Sequence, residues 1–196
     1  MQKWYRKNNK NKEKGPTNAN SQVQQRNFAA IDLGTNSCRL VIATPTPAAF
    51  RIVETFSKIT RLGEGIIKDN ELSRPAIKRT VAALKVCAGV INEYAPIYRS
   101  RFVATAACRR AKNCSEFVEL VKRETGLNLE IISSKEESRL AVVGCIPLLN
   151  RSIKRTLVFD IGGGAFDHHQ EDRRVRKNGI PVSYTHLRAH ETDQYL

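Results

Sequence analysis

The chain has no run approaching the ~18 consecutive apolar residues that a membrane-spanning helix needs, so no such helix is expected. No apolar segment follows the basic residues of the N-terminus, so no signal peptide is expected either. The five cysteines, Cys38, Cys87, Cys108, Cys114 and Cys145, include no pair with metal-type spacing, and their number is odd. That argues against a cysteine metal site and a disulfide framework, and fits free thiols in a reducing cytosol. Histidine is absent before residue 168; all four lie at 168, 169, 186 and 190, and the adjacent pair His168–His169 in a polar segment is not read as a metal site.

What is present is a real core and an uneven positive charge. The 196 residues suffice for one full domain and the start of another, and 41% of them are hydrophobic. The net charge is +14, with seven Lys/Arg against one acid in residues 1–27 and 21 against 14 in residues 28–167. Such a surplus reads either as a solvated surface or as attraction to a polyanion. Residues 1–27, rich in Lys, Asn and Gln, are expected to be a disordered basic arm.

Two glycine-bearing runs carry the chemistry: Phe28-Ala-Ala-Ile-Asp-Leu-Gly-Thr-Asn-Ser37 and Leu157-Val-Phe-Asp-Ile-Gly-Gly-Gly164. Each is an apolar strand ending in Asp, followed by a turn of glycine, in the first with small polar residues. A strand-end Asp can hold hydrated Mg²⁺, and the turn can aim backbone N–H groups and hydroxyls at phosphate oxygens. Two such turns about 128 residues apart suggest a phosphate held from both sides of a cleft.

Periodicity supplies the frame. Strands are expected at 28–33, 38–43 and 50–59, the last with Ile52, Glu54, Phe56 and Lys58 on one face and Val53, Thr55 and Ser57 on the other. Arg61-Leu-Gly-Glu-Gly65 is a glycine loop. Ser73 caps a long helix to about Tyr94, with Pro75 in its first turn and Ile77, Val81, Leu84, Ala88 and Ile91 at helical spacing. A strand at 102–106, a helix capped by Ser115 and ended by Gly126, a strand at 129–132, a helix opened by Ser133 or Ser134, and a strand at 156–161 follow. The order β-β-β-α-β-α-β-α is an α/β layout with a mixed sheet. It resembles the ribonuclease-H-like domain of the actin, sugar kinase and Hsp70 superfamily.

The chain also resembles the exopolyphosphatase / guanosine pentaphosphate phosphohydrolase (Ppx/GppA) family over about 28–164. The likeness runs through AIDLGTNSCRLVIA (30–43), SKITRLGEGI (57–66), ATAACRRAKN (104–113), LEIISSKEESRLAVVGC (129–145) and LVFDIGGG (157–164). The resemblance implies a cytoplasmic hydrolase that releases the terminal phosphate of inorganic polyphosphate or guanosine pentaphosphate by Mg²⁺-assisted attack of water. It places the general base at Glu137, the second Glu of Glu136-Glu137-Ser138-Arg139. It gives Gly34, Thr35, Asn36, Ser37, Arg109, Gly162, Gly163 and Gly164 to phosphate and Asp32 and Asp160 to Mg²⁺. Arg39 is a weaker phosphate candidate, and Glu64 is a candidate to face the cleft. The implied partners are the phosphate substrate and, for a full-length form, a second copy; neither a membrane nor a nucleic acid is expected.

The resemblance breaks at Ala165. The family's second turn continues with hydroxyl residues and an acid, whereas Gly164 here is followed by Ala-Phe-Asp-His-His169. No strand pattern is expected beyond it, and Val182-Ser-Tyr-Thr-His-Leu-Arg-Ala-His-Glu-Thr192 resembles a translated sequencing-library adapter. The expected organisation is therefore a basic arm (1–27), a ribonuclease-H-like domain (28–150), the start of a truncated second domain (151–167) and a non-native or unstructured tail (168–196). On this reading the chain is a fragment holding only half of the phosphate ligands. The competing readings are an ATP-binding sugar kinase or actin-like ATPase, and a non-catalytic protein that binds polyanions or RNA through its basic arm.

Overall fold

Alternating apolar residues build the first strands of the computed structural model, which describes residues 26–47, 49–145, 156–162, 173–177 and 180–188. In β1 (Asn27–Leu33), Ala29, Ile31 and Leu33 are buried while Ala30 and Asp32 are exposed. In β2 (Ser37–Pro45), Cys38, Leu40 and Ile42 are fully buried. Asn27, assigned to the arm by composition, opens β1. Its side-chain amide donates to the Tyr94 carbonyl at 3.0 Å, and its Oδ1 accepts from the Thr44 hydroxyl at 2.8 Å.

β3 (Phe50–Ile59) pairs antiparallel with β2 but departs from simple alternation. A register shift between Ile42 and Ala43 sets Ile42 opposite Glu54 and Ala43 opposite Ile52, so Val53 is extra. Such a bulge resets which face each side chain occupies. Val53 and Phe56, expected on opposite faces, both pack on the core, while Ile52 is left exposed.

After a short helix, α1 (Ile66–Asp69), comes α2 (Arg74–Glu93). The Ser73 hydroxyl accepts from the Ala76 N–H at 3.3 Å, as an N-cap should, and Pro75 sits in the first turn where its missing N–H costs nothing. Ala76, Thr80, Val81, Ala83, Leu84 and Cys87 form its buried stripe. β4 is Ile97–Ala104, so it begins and ends earlier than the expected 102–106. Ala106 is instead the first residue of a short helix, α3 (Ala106–Arg110), which suits its Ala-rich sequence.

α4 (Cys114–Thr125) buries Phe117 and Val121 and ends at Gly126, which takes φ 73°, a conformation glycine adopts without strain. Ser115 is not its cap. Asn113 holds that position, and its side chain is engaged with Leu72, accepting from the Leu72 N–H at 2.8 Å and donating to the Leu72 carbonyl at 3.0 Å. β5 is only Glu130–Ile131, and α5 is Ser134–Cys145 with the Ser133 hydroxyl accepting from the Glu136 N–H.

The five strands form a sheet in the order β3-β2-β1-β4-β5. β1 pairs antiparallel with β2 and parallel with β4, and β4 pairs parallel with β5. All five cysteines are free thiols, four of them buried. Cys38 and Cys87 approach to 4.0 Å, and this contact together with burial pushes the Cys38 thiol up.

β6 (Thr156–Gly162) belongs to a second sheet, with β7 (Arg173–Lys177) and β8 (Ile180–Arg188), in the order β6-β8-β7. Strands thus stand at 173–177 and 180–188, where no strand pattern is expected from the sequence. Val182, Tyr184 and Thr185 are strand formers, and β8 pairs parallel with β6 and antiparallel with β7. The rest of the basic arm and of the tail lies outside the described residues.

The two serines separate cap from bystander. Ser73→Ala is expected to cost about 1 kcal/mol of stability in urea unfolding, and Ser115→Ala less than about 0.5 kcal/mol.

Candidate active site

The parallel strands end together. The Thr105 N–H donates to the Leu33 carbonyl at 3.1 Å, and the Ile132 N–H donates to the Ala104 carbonyl at 3.1 Å. These bonds align the C-terminal ends of β1, β4 and β5, the edge at which open α/β sheets hold ligands. Three segments leave from this edge: the turn Gly34–Asn36 from β1, α3 from β4 and α5 from β5.

α3 and α5 bring Arg109 and Glu137 into contact. Arg109 Nη1 donates to Glu137 Oε2 at 2.9 Å and to the Ile132 carbonyl at 2.9 Å. Their side chains are 20% and 25% exposed, the most sheltered ion pair among the described residues. Two residues singled out separately, 28 positions apart in the chain, are thus a single unit in the fold.

Adjacent glutamates part company here. Glu136 faces away from Arg109 into a network on the sheet face opposite the core. It accepts from Arg139 at 2.7 and 2.9 Å and from Arg101 Nη1 at 2.8 Å. Arg101, on β4, also grips both oxygens of Glu130 on β5, at 2.9 and 2.8 Å. The Arg139 and then the Arg101 hydrogen bonds draw the Glu136 carboxyl down to about 2. Nothing in the run Tyr98-Arg-Ser-Arg101 distinguishes Arg101 from a solvated strand residue, so it has no local signal.

The first turn is tightly built. Gly34 N–H donates to the Ser37 carbonyl at 2.9 Å, and the loop after β3 donates three N–H groups to the carbonyls of Thr35 and Asn36. Asp32 stands exposed two residues before the turn, in register with Arg39 on β2 and Val103 on β4. The Glu64 carboxylate pairs with Arg79 of α2. Asp160 and Gly162 lie on β6, Asp160 in register with His186. Gly163 and Gly164 lie outside the described residues.

A mixed sheet whose parallel strands end beside an Arg–Glu pair and a glycine turn is an α/β fold of the actin-like ATPase type. The family model for the Ppx/GppA phosphatase family matches residues 41–177, and the chain belongs to that family. It is 37% identical over 147 residues to the bifunctional 3-dehydroquinate synthase/phosphatase of Fusobacterium nucleatum, covering 70% of this chain and 22% of that one. The structure of the Aquifex aeolicus PPX-GPPA enzyme superposes with a TM-score of 0.65 at 36% identity, covering 70% of this chain and 46% of that one. An exopolyphosphatase from Cytophaga hutchinsonii shares the fold with a TM-score of 0.65 at 24% identity, covering 71% and 44%. The chain therefore spans less than half the length of these relatives.

The Glu136 network makes stability depend on acid pH with a definite sign. A free glutamate protonates near 4.5, whereas folded Glu136 stays ionised to about 2. Its stabilisation is complete above about pH 4.5 and is lost as pH falls toward about 2. Urea unfolding at neutral pH and near about pH 3 should show a larger loss for the wild type than for Glu136→Gln.

Proposed function

We propose that this chain carries the first half of a phosphoanhydride hydrolase site that releases the terminal phosphate of inorganic polyphosphate or guanosine pentaphosphate. The observation that carries this is the Arg109–Glu137 contact at the C-terminal edge of the parallel strands. Cleaving a terminal anhydride needs a proton acceptor for water and a positive group for the phosphoryl oxygens. The pair provides one of each, already within reach of one another.

Arg109 is the phosphate ligand in this reading. Its planar fork suits two phosphoryl oxygens, and among the described residues its bonds to Glu137 and Ile132 both come from Nη1. An arriving phosphate competes with Glu137 for the same guanidinium. Glu137 is then released toward the attacking water as general base. Gly34, Thr35, Asn36 and Ser37 hold phosphate oxygens with the amides and hydroxyls of the turn, and Gly162, Gly163 and Gly164 do so from the second sheet's side of the chain.

The donor chemistry fits Mg²⁺. The described residues hold no cluster of three candidate ligands, and Mg²⁺ needs none. It binds through one or two carboxylates, waters and the substrate's own phosphates. Asp32 and Asp160 are the carboxylates this reading assigns to it, and the ion when bound neutralises charge on the phosphoryl oxygens. The coarse activity, a phosphatase-family hydrolase, rests on family membership. The choice between polyphosphate and guanosine pentaphosphate rests on neither sheet, because both substrates present the same terminal group.

Phosphate release from long-chain polyphosphate with Mg²⁺ tests this. Glu137→Gln is expected to lower release by about 10²–10⁴-fold while tripolyphosphate still binds. Arg109→Ala is expected to weaken that binding. Equal release by wild type and Glu137→Gln would sink the assignment of the base. No release from either, with Arg109-dependent binding intact, would make this chain a binding half-site and not a hydrolase by itself.

A further inference from the structure

The turn Gly34–Ser37 is held by the loop after β3 as well as by its own Gly34–Ser37 bond. Thr60 and Arg61 N–H both donate to the Asn36 carbonyl at 2.9 Å, and Gly63 N–H donates to the Thr35 carbonyl at 2.9 Å. A trans peptide is planar, so the carbonyl of one residue and the N–H of the next point in opposite directions. With the Thr35 and Asn36 carbonyls turned to the loop, the N–H groups of Asn36 and Ser37 point away from it. Two successive amides aimed to one side form an anion-binding concavity. The loop therefore decides where the amides of the turn are aimed.

The loop is itself strained and close-fitting. Arg61 sits at φ 48°, a region that non-glycine residues occupy only when held there. Gly63 lies so close to Thr35 that a Cβ on it would meet Thr35 Cγ2 at 2.3 Å. What holds the loop is Arg79 on α2. Its Nε donates to the Thr60 carbonyl at 3.0 Å, its Nη2 reaches the Arg61 carbonyl at 3.5 Å, and the same Nη2 pairs with the Glu64 carboxylate. One guanidinium thus engages three of the loop's residues.

We infer that Arg79 is a positioning residue for the phosphate turn, acting through the loop Thr60–Gly65 to aim the Asn36 and Ser37 amides at substrate phosphate. This rests on the phosphate reading of the turn given above. Lysine cannot replace it, because a single ammonium nitrogen cannot stand both where Nε meets the Thr60 carbonyl and where Nη2 meets Arg61 and Glu64. Nothing in the sequence marks Arg79 apart from the other charges of α2.

The test uses tripolyphosphate as the probe and amide NMR of the whole chain. In the wild type, tripolyphosphate should shift the Asn36 and Ser37 amides. Arg79→Ala and Arg79→Lys should bind it about tenfold more weakly or worse, and ligand-free exchange of the Thr60, Arg61 and Gly63 amides should quicken by a similar factor. Thermal unfolding confirms that each variant is folded. Lys85→Ala, which breaks the Lys85–Glu124 pair elsewhere on α2, is the control for general loosening of the helix and should leave binding unchanged. Wild-type affinity in Arg79→Ala, or unchanged exchange of the loop amides, would overturn the inference. Absence of binding by the wild type, with the loop amides still quickened in Arg79→Ala, would instead overturn the phosphate reading on which its functional part rests.

Discussion

The parallel pairing of β1 with β4 and of β4 with β5 is the constraint on which the site depends. Parallel strands cannot be joined by tight turns, so each must be followed by a crossover that returns along the sheet. α2 and α4 make those returns and supply, with the inner faces of β1 and β2, the buried core of Leu40, Leu84, Phe117 and Val121. The return also forces all three parallel strands to end at one edge. The bonds Thr105 N–H to Leu33 and Ile132 N–H to Ala104 continue the ladder just past the strands. They set the starting points of α3 and α5. The Arg109–Glu137 contact follows from that alignment more than from any local preference.

The separation of Glu136 from Glu137 shows how one helix turn allocates roles. Successive helical residues project about 100° apart, so two adjacent carboxylates cannot share one environment. Glu136 is wrapped by Arg101 and Arg139, which hold it ionised well below the ordinary range. Its oxygens are committed, and a carboxylate so committed is a poor proton acceptor. Glu137 instead meets the Arg109 guanidinium. The two side chains are 27% and 25% exposed, so they differ in their partners and not in burial.

Much of the frame was legible from local signals. The strand-then-glycine run at 28–37, the Ser73 cap and the Gly126 stop each follow from chemistry that acts within a few residues, and each stands where expected. The misses share a cause. The β3 bulge, the early start of β4 and the displacement of Ser115 by Asn113 are decided by partners distant in sequence: the β2 register, the β1 edge and the Leu72 backbone. β7 and β8 lie past the break in composition and motif at Ala165, β8 within the adapter-like run, so no strand is expected there, although β8 itself alternates strand formers. For the site, the residue types were legible and their meeting was not. Nothing local says that Arg109 reaches Glu137, that Glu64 turns to Arg79, or that Arg101 binds two acids at once.

Two arginines on the periphery, Arg101 and Arg79, make the same kind of network. Each engages a carboxylate and at least one further acceptor on another element, and each is about two-fifths exposed. Exposed ion pairs contribute at most about 1 kcal/mol, so neither network accounts for the stability of the fold. Their effect is geometric. Arg101 ties the first turn of α5 to β4 and β5, which fixes the rotation of that helix and hence the side to which Glu137 points. Arg79 ties the loop after β3 to α2, which fixes the carbonyls of Thr35 and Asn36. A phosphate site needs donors held to within a fraction of an ångström, and supporting contacts that barely affect stability can still decide that placement. The fold thus divides its labour: the apolar layer between sheet and helices supplies cohesion, and solvent-facing guanidinium forks supply aim.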